Sequence, residues 1–116
     1  MPHAVIEYTT NVNYPTEFAK ITQIVHNVMI QSKLFSVKDI KTRSHKIDDF
    51  LLGEKGRQGS FVHVTIYLLE GRTILQKQTL SETLLEALQA PLINVDQLTI
   101  NIQEIVKDTY RKHVRS

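Results

Sequence analysis

The chain contains no cysteine. That excludes a disulfide framework, a Cys-ligated zinc and a thiol nucleophile. Glycine and proline are scarce, four and three in 116 residues, which leaves no room for a long flexible linker. No apolar run approaches the length needed to span a membrane. No basic segment precedes a long apolar stretch at the start, so a secretory signal is not expected and the cytoplasm is the expected location. Charge of one sign is also lacking: 14 Lys and Arg against 12 Asp and Glu give a net +2, too little to argue for nucleic acid. The basic residues cluster only at the end, at Arg111, Lys112 and Arg115, and so short a basic tail reads as a solvated end. What remains is an ordinary globular composition, 41% apolar and 22% charged. It suits a single domain over residues 1–116 with a real hydrophobic core.

Periodicity organises the chain into two similar halves. His3 to Tyr8 alternates as a strand, with Ala4, Ile6 and Tyr8 on one face and His3, Val5 and Glu7 on the other. Pro15 suits a helix start, and Glu17 suits the dipole there. From Pro15 to about Ser32, steps of three and four through Phe18, Ile21, Val25, Val28 and Met29 give one apolar helical face. An extended stretch is expected from about Val37 to Ile47, placing Asp39, Lys41, Arg43 and His45 on one face. Asp48 to Gly59 reads as a loop; its glycines lack the spacing of a nucleotide fingerprint. Phe61 to Leu69 is the strongest strand, with Val62, Val64, Ile66 and Leu68 on one side. Glu70-Gly71-Arg72 links it to a second helix, with Thr73 as N-cap, Leu80, Leu84 and Leu88 as the buried stripe, and Pro91 as the stop. A last strand covers Leu98 to Ile105. The expected fold is α/β (α+β): two βαβ halves forming a four-stranded mixed sheet with two helices on one face. The other sheet face has no cover within the chain, so association through it is expected.

Chemistry points to the start of the chain. Removal of Met1 leaves Pro2 with a free secondary amine at the head of an apolar strand. Burial and nearby cations both disfavour the ammonium form, and a neutral amine near physiological pH is a competent general base. With Met1 retained the same nitrogen is an amide and not a base. Taken alone, a proline near a terminus is usually incidental. His45 and His63 have no carboxylate or cysteine at ligand spacing, so structural roles are expected and no metal site.

Pro2, the two βαβ halves and the uncovered sheet face together resemble the tautomerase superfamily. Within it the chain resembles the family of 5-carboxymethyl-2-hydroxymuconate isomerases of bacterial homoprotocatechuate breakdown. The residues carrying the likeness are Met1-Pro2-His3 and Glu7; Ile40, Arg43, His45 and Asp48; Phe61-Val62-His63 and Thr65; Gly71-Arg72; and Glu104. The resemblance implies a homotrimer with sites near the subunit boundaries and no cofactor. It implies Pro2 as the catalytic base and Arg72 as a substrate-binding arginine for a small dicarboxylate. A second family arginine falls on Lys41, which keeps the charge but loses the bidentate fork. Arg43, two residues on, points the same way and can share that task. The expected reaction is ketonisation of 5-carboxymethyl-2-hydroxymuconate. The alternatives are another 2-keto acid such as phenylpyruvate, suggested by Lys41, or a trimeric binding protein without chemistry.

Overall fold

Alternation in two strands sets the layers. In β1 (His3–Thr9) Ala4 and Ile6 are fully buried, and in β3 (Phe61–Leu69) so are Val62, Val64, Ile66 and Leu68. The computed structural model describes residues 1–12 and 18–115. In it α1 (Ala19–Gln31) lays Ile21, Val25, Val28 and Met29 against that surface, and α2 (Ile74–Gln89) adds Leu80, Leu84 and Leu88. Each fully buried aliphatic side chain contributes about 1.5–3 kcal/mol, which fastens both helices to the same face of the sheet. Pro15 and Glu17, read from sequence as the start of α1, lie outside the described residues.

With β2 (Lys41–Ile47) and β4 (Gln97–Ile105) the sheet has the order β2-β1-β3-β4. β1 runs parallel to β2, β3 runs parallel to β4, and β1 meets β3 antiparallel at the centre. Each βαβ half is therefore a parallel pair, and the halves are joined back to back.

The second strand starts later than its alternation suggests. Val37–Asp39 forms a 3-10 turn, closed by Asp39 N–H to Ser36 O at 3.0 Å and Ile40 N–H to Val37 O at 3.2 Å. Val37 and Ile40 stand three residues apart, the repeat of a 3-10 turn and not the two-residue alternation of a strand. Asp39 is thereby taken off the strand face that holds Lys41, Arg43 and His45.

Register decides which residues meet. His3 lies opposite Lys41 on one side and Tyr67 on the other. The head of β1 is thus flanked by the head of β2 and the tail of β3. Leu69 pairs with Ile105, so the end of β4 lies at this same end of the sheet. The residues after β4 leave the sheet there, and Tyr110 reaches His3. The sheet face away from the helices carries His3, Arg43, His63, Thr65, Tyr67 and Gln103, and no helix among the described residues covers it.

Candidate functional site

Pro2 is fully buried and Met1 nearly so, at 8% exposure. The Pro2 carbonyl accepts the Lys41 backbone N–H at 3.1 Å, which sews the start of the chain to the start of β2. The terminal amine, here that of Met1, lies below the ordinary α-amine range. Burial is the main cause; the charges of Lys41 and Lys112 add to it, and Asp39 pulls the other way.

Three segments converge on this terminus. Lys41 Nζ donates to the Asp39 carbonyl at 2.7 Å. Lys112, from the C-terminal tail, pairs with the Asp39 carboxylate at 3.2 Å and holds that carboxyl below its usual range. Arg43 Nη1 donates to His3 Nδ1 at 3.1 Å. His3 Nε2 is 3.2 Å from the Tyr110 hydroxyl, with the two rings edge-on at 75°. The His3 imidazole is pushed toward its neutral form by burial first, then by Lys41, Arg43 and the terminal amine.

Arg72 approaches the same end of the sheet from the other side. Gly71, at φ +122°, occupies backbone space that side-chain-bearing residues rarely adopt, and it delivers Arg72 just before the N-cap Thr73. Arg72 Nη2 donates to the Leu34 carbonyl at 2.7 Å and Nη1 to the Leu69 carbonyl at 3.4 Å. The guanidinium lies 5.0 Å over the Phe35 ring. Lys33, in the left-handed region at φ +63°, turns the chain after α1 and so presents the Leu34 carbonyl. A guanidinium has five N–H groups, so this anchoring leaves others for a ligand.

The structure therefore joins Pro2, Lys41, Arg43, His3 and the tail in one cluster. It sets Arg72 at the same sheet end, with no hydrogen bond or ion pair to Lys41, Arg43 or Pro2 among the described residues. Elsewhere among the described residues are two grooves. One of about 500 Å³ lies between the end of α1 and the start of α2, lined by Val28, Leu75 and Leu80 among others. One of about 340 Å³ lies by His26 and Thr42. Neither is lined by Pro2, Lys41, Arg43 or Arg72. Lys41 and Arg43 are exposed on the edge strand β2. Among the described residues no three His, Asp or Glu gather as a metal-ligating group; His63 bonds Thr99 Oγ1 at 2.6 Å.

Asp39, Tyr110 and Lys112 are the residues that periodicity does not reveal. The tail reads as a solvated basic end, yet Tyr110 and Lys112 pack back onto the terminus. The signal lies in the topology: a fourth strand parallel to the third must end beside the head of the first. A Met1 amine of lowered basicity, several cations and an imidazole pushed toward its neutral form make a place that can hold an anion and move a proton beside it.

The chain matches the sequence profile of 5-carboxymethyl-2-hydroxymuconate isomerase over residues 2–114. A 5-carboxymethyl-2-hydroxymuconate Delta-isomerase of Escherichia coli is 22% identical over 89 residues, covering 77% of this chain and 71% of that protein. The crystal structure of a 5-carboxymethyl-2-hydroxymuconate isomerase from Deinococcus radiodurans R1 superposes with a TM-score of 0.86 at 22% identity, over 98% of this chain and 90% of that one. A fused 4-OT, solved as a symmetric trimer, gives a TM-score of 0.78 at 15% identity over 95% and 90% of the two chains. On the profile match, which spans nearly the whole sequence, this chain belongs to the 5-carboxymethyl-2-hydroxymuconate isomerase family of the tautomerase superfamily.

Proposed function

We propose that the chain, once Met1 is removed, is a cytoplasmic, homotrimeric isomerase that converts 5-carboxymethyl-2-hydroxymuconate to its 2-oxo isomer. Pro2 nitrogen takes the proton of the 2-hydroxyl and returns it to a carbon of the diene, so the step is an isomerisation with no net gain or loss of atoms or electrons. Arg72, Lys41 and Arg43 hold the carboxylates and stabilise the negative charge that builds on the substrate oxygen. Proton transfer of this kind calls for no metal or organic cofactor. The observation that supports the reading is the buried terminus with Lys41 and Lys112 facing it: these surroundings lower the basicity of the Met1 amine, and they act alike on the Pro2 amine that removal of Met1 exposes. Trimerisation is supported by the uncovered polar sheet face and by the trimeric state of the fused 4-OT. An edge lined by cations is also what a pocket completed by a neighbouring subunit leaves on one protomer.

A second substrate reading has its own observation. The Lys41 ammonium is engaged with the Asp39 carbonyl and has no fork to offer. A 2-keto acid with a single carboxylate, such as phenylpyruvate, asks less of that position. The test is ultraviolet-monitored ketonisation of both substrates, using protein whose mass confirms the loss of Met1. Turnover of the diacid well above buffer, lost on Pro2→Ala by a factor of about 10²–10⁴ with the fold kept, is the expected result. A folded Pro2→Ala protein as active as the parent overturns the assignment.

A further inference from the structure

Arg43 stands on β2, an edge strand, where a long exposed side chain ordinarily samples many rotamers. Here it is held. A guanidinium can only donate, so His3 Nδ1, 3.1 Å from Arg43 Nη1, must be the acceptor. The proton of the neutral ring is then on Nε2, and it is donated to the Tyr110 hydroxyl oxygen at 3.2 Å. Tyr110 is itself fixed: its backbone N–H bonds the Lys107 carbonyl at 3.3 Å, and two residues later Lys112 grips Asp39 at 3.2 Å. Upstream, the Lys107 N–H is held by the Glu70 carboxylate at 2.9 Å, tying the tail to the Arg72 turn.

We infer that Tyr110 is a positioning residue of the carboxylate site: its hydroxyl fixes the His3 ring, and His3 in turn aims the Arg43 guanidinium. This rests on the reading of Arg43 as a carboxylate-binding group. It explains how the chain tolerates a lysine at position 41. The fork is supplied two residues along the same strand face, and a tether from the far end of the sequence restricts it to one direction. Burial and the neighbouring cations of Lys41, Arg43 and the terminal amine push His3 toward its neutral form, in which Nδ1 can accept. The tail is then part of the binding site and not a solvated appendage.

Tyr110→Phe removes the hydroxyl while keeping the edge-on ring contact. With the trimmed protein, KM for the diacid is expected to rise about tenfold, the scale of one lost hydrogen bond, with kcat changed less than about twofold. KM for phenylpyruvate, which has one carboxylate, is expected to change much less. His3→Asn, whose amide oxygen can still accept from Arg43, should recover part of the KM lost in His3→Ala. Nitrogen NMR supplies a readout that needs no turnover. In the parent, His3 Nδ1 should be unprotonated and Nε2 protonated, and the Arg43 guanidinium hydrogens should be ordered. In Tyr110→Phe those guanidinium signals should average. If the parent fails to turn over the diacid, the substrate reading falls and the spectra still decide the tether. A proton on His3 Nδ1, or Arg43 signals equally ordered without the hydroxyl, overturns the inference.

Discussion

Thr73→Ala is the perturbation whose size follows most directly from the structure. Thr73 Oγ1 accepts the Gln76 N–H at 3.1 Å, and Gln76 Oε1 accepts the Thr73 N–H at 2.9 Å. This reciprocal box satisfies two N–H groups at the start of α2. Losing an N-cap threonine costs about 1 kcal/mol. An unfolding entropy of about 2.1 cal/mol/K per residue gives about 0.24 kcal/mol/K for this chain, so Tm should fall by about 4 °C. Leu80, Leu84 and Leu88 stay buried, so the helix itself should persist. Because the two bonds share one turn, Thr73→Ala and Gln76→Ala should cost less together than separately, by about 0.5 kcal/mol. Arg72, the residue before the cap, is anchored independently by the Leu34 carbonyl and the Phe35 ring. KM for the diacid should therefore move by less than about twofold. Thermal unfolding followed by circular dichroism, with urea titration of the double variant, measures the first two quantities. A Tm unchanged within about 1 °C refutes the capping estimate. A KM that collapses while Tm falls as expected refutes the independent anchoring of Arg72.

Two further outcomes follow from the charges at the site. Lys41→Arg restores a fork and should lower KM for the diacid several-fold without lowering it for phenylpyruvate; equal effects on both would mean that position 41 does not meet the second carboxylate. Lys112 lowers the basicity of the Met1 amine and Asp39 raises it, and after removal of Met1 the same two charges face the Pro2 amine. A base must be unprotonated to act, so the acid limb of kcat/KM against pH marks its titration. Lys112→Met should move that limb to higher pH and Asp39→Asn to lower pH. Shifts of the same sign, or none, would show that the amine does not set the limb.

Much of the fold was legible in the sequence because burial follows simple periods. The two-residue alternation of Phe61 to Leu69 and the four-residue stripe of Leu80, Leu84 and Leu88 leave little choice about what faces inward. Thr73 and Pro91 mark the limits of α2 to within a residue or two. The start of β2 was placed too early, because the two-residue step from Asp39 to Lys41 extends the strand alternation backward, although Val37 and Ile40 stand at the three-residue repeat of a 3-10 turn. Pro2, Lys41, Arg43 and Arg72 could be singled out by charge, position and family likeness. What they touch could not. The bond from Arg43 to His3 depends on strand register, and the grip of Arg72 on Leu34 depends on a left-handed residue at Lys33. Tyr110 and Lys112 carry no periodic signal; only the parallel pairing of β4 with β3 brings them to the terminus.

The central claim is that a free Pro2 amine does the chemistry. The most direct test compares one protein in two forms, with Met1 removed and with Met1 retained, each confirmed by mass and by matching circular dichroism. Ketonisation of 5-carboxymethyl-2-hydroxymuconate is followed for both. The account predicts fast decay of the dienol with the trimmed form and a loss of about 10²–10⁴ in rate with the retained form, whose Pro2 nitrogen is an amide. Equal rates from the two forms would contradict it.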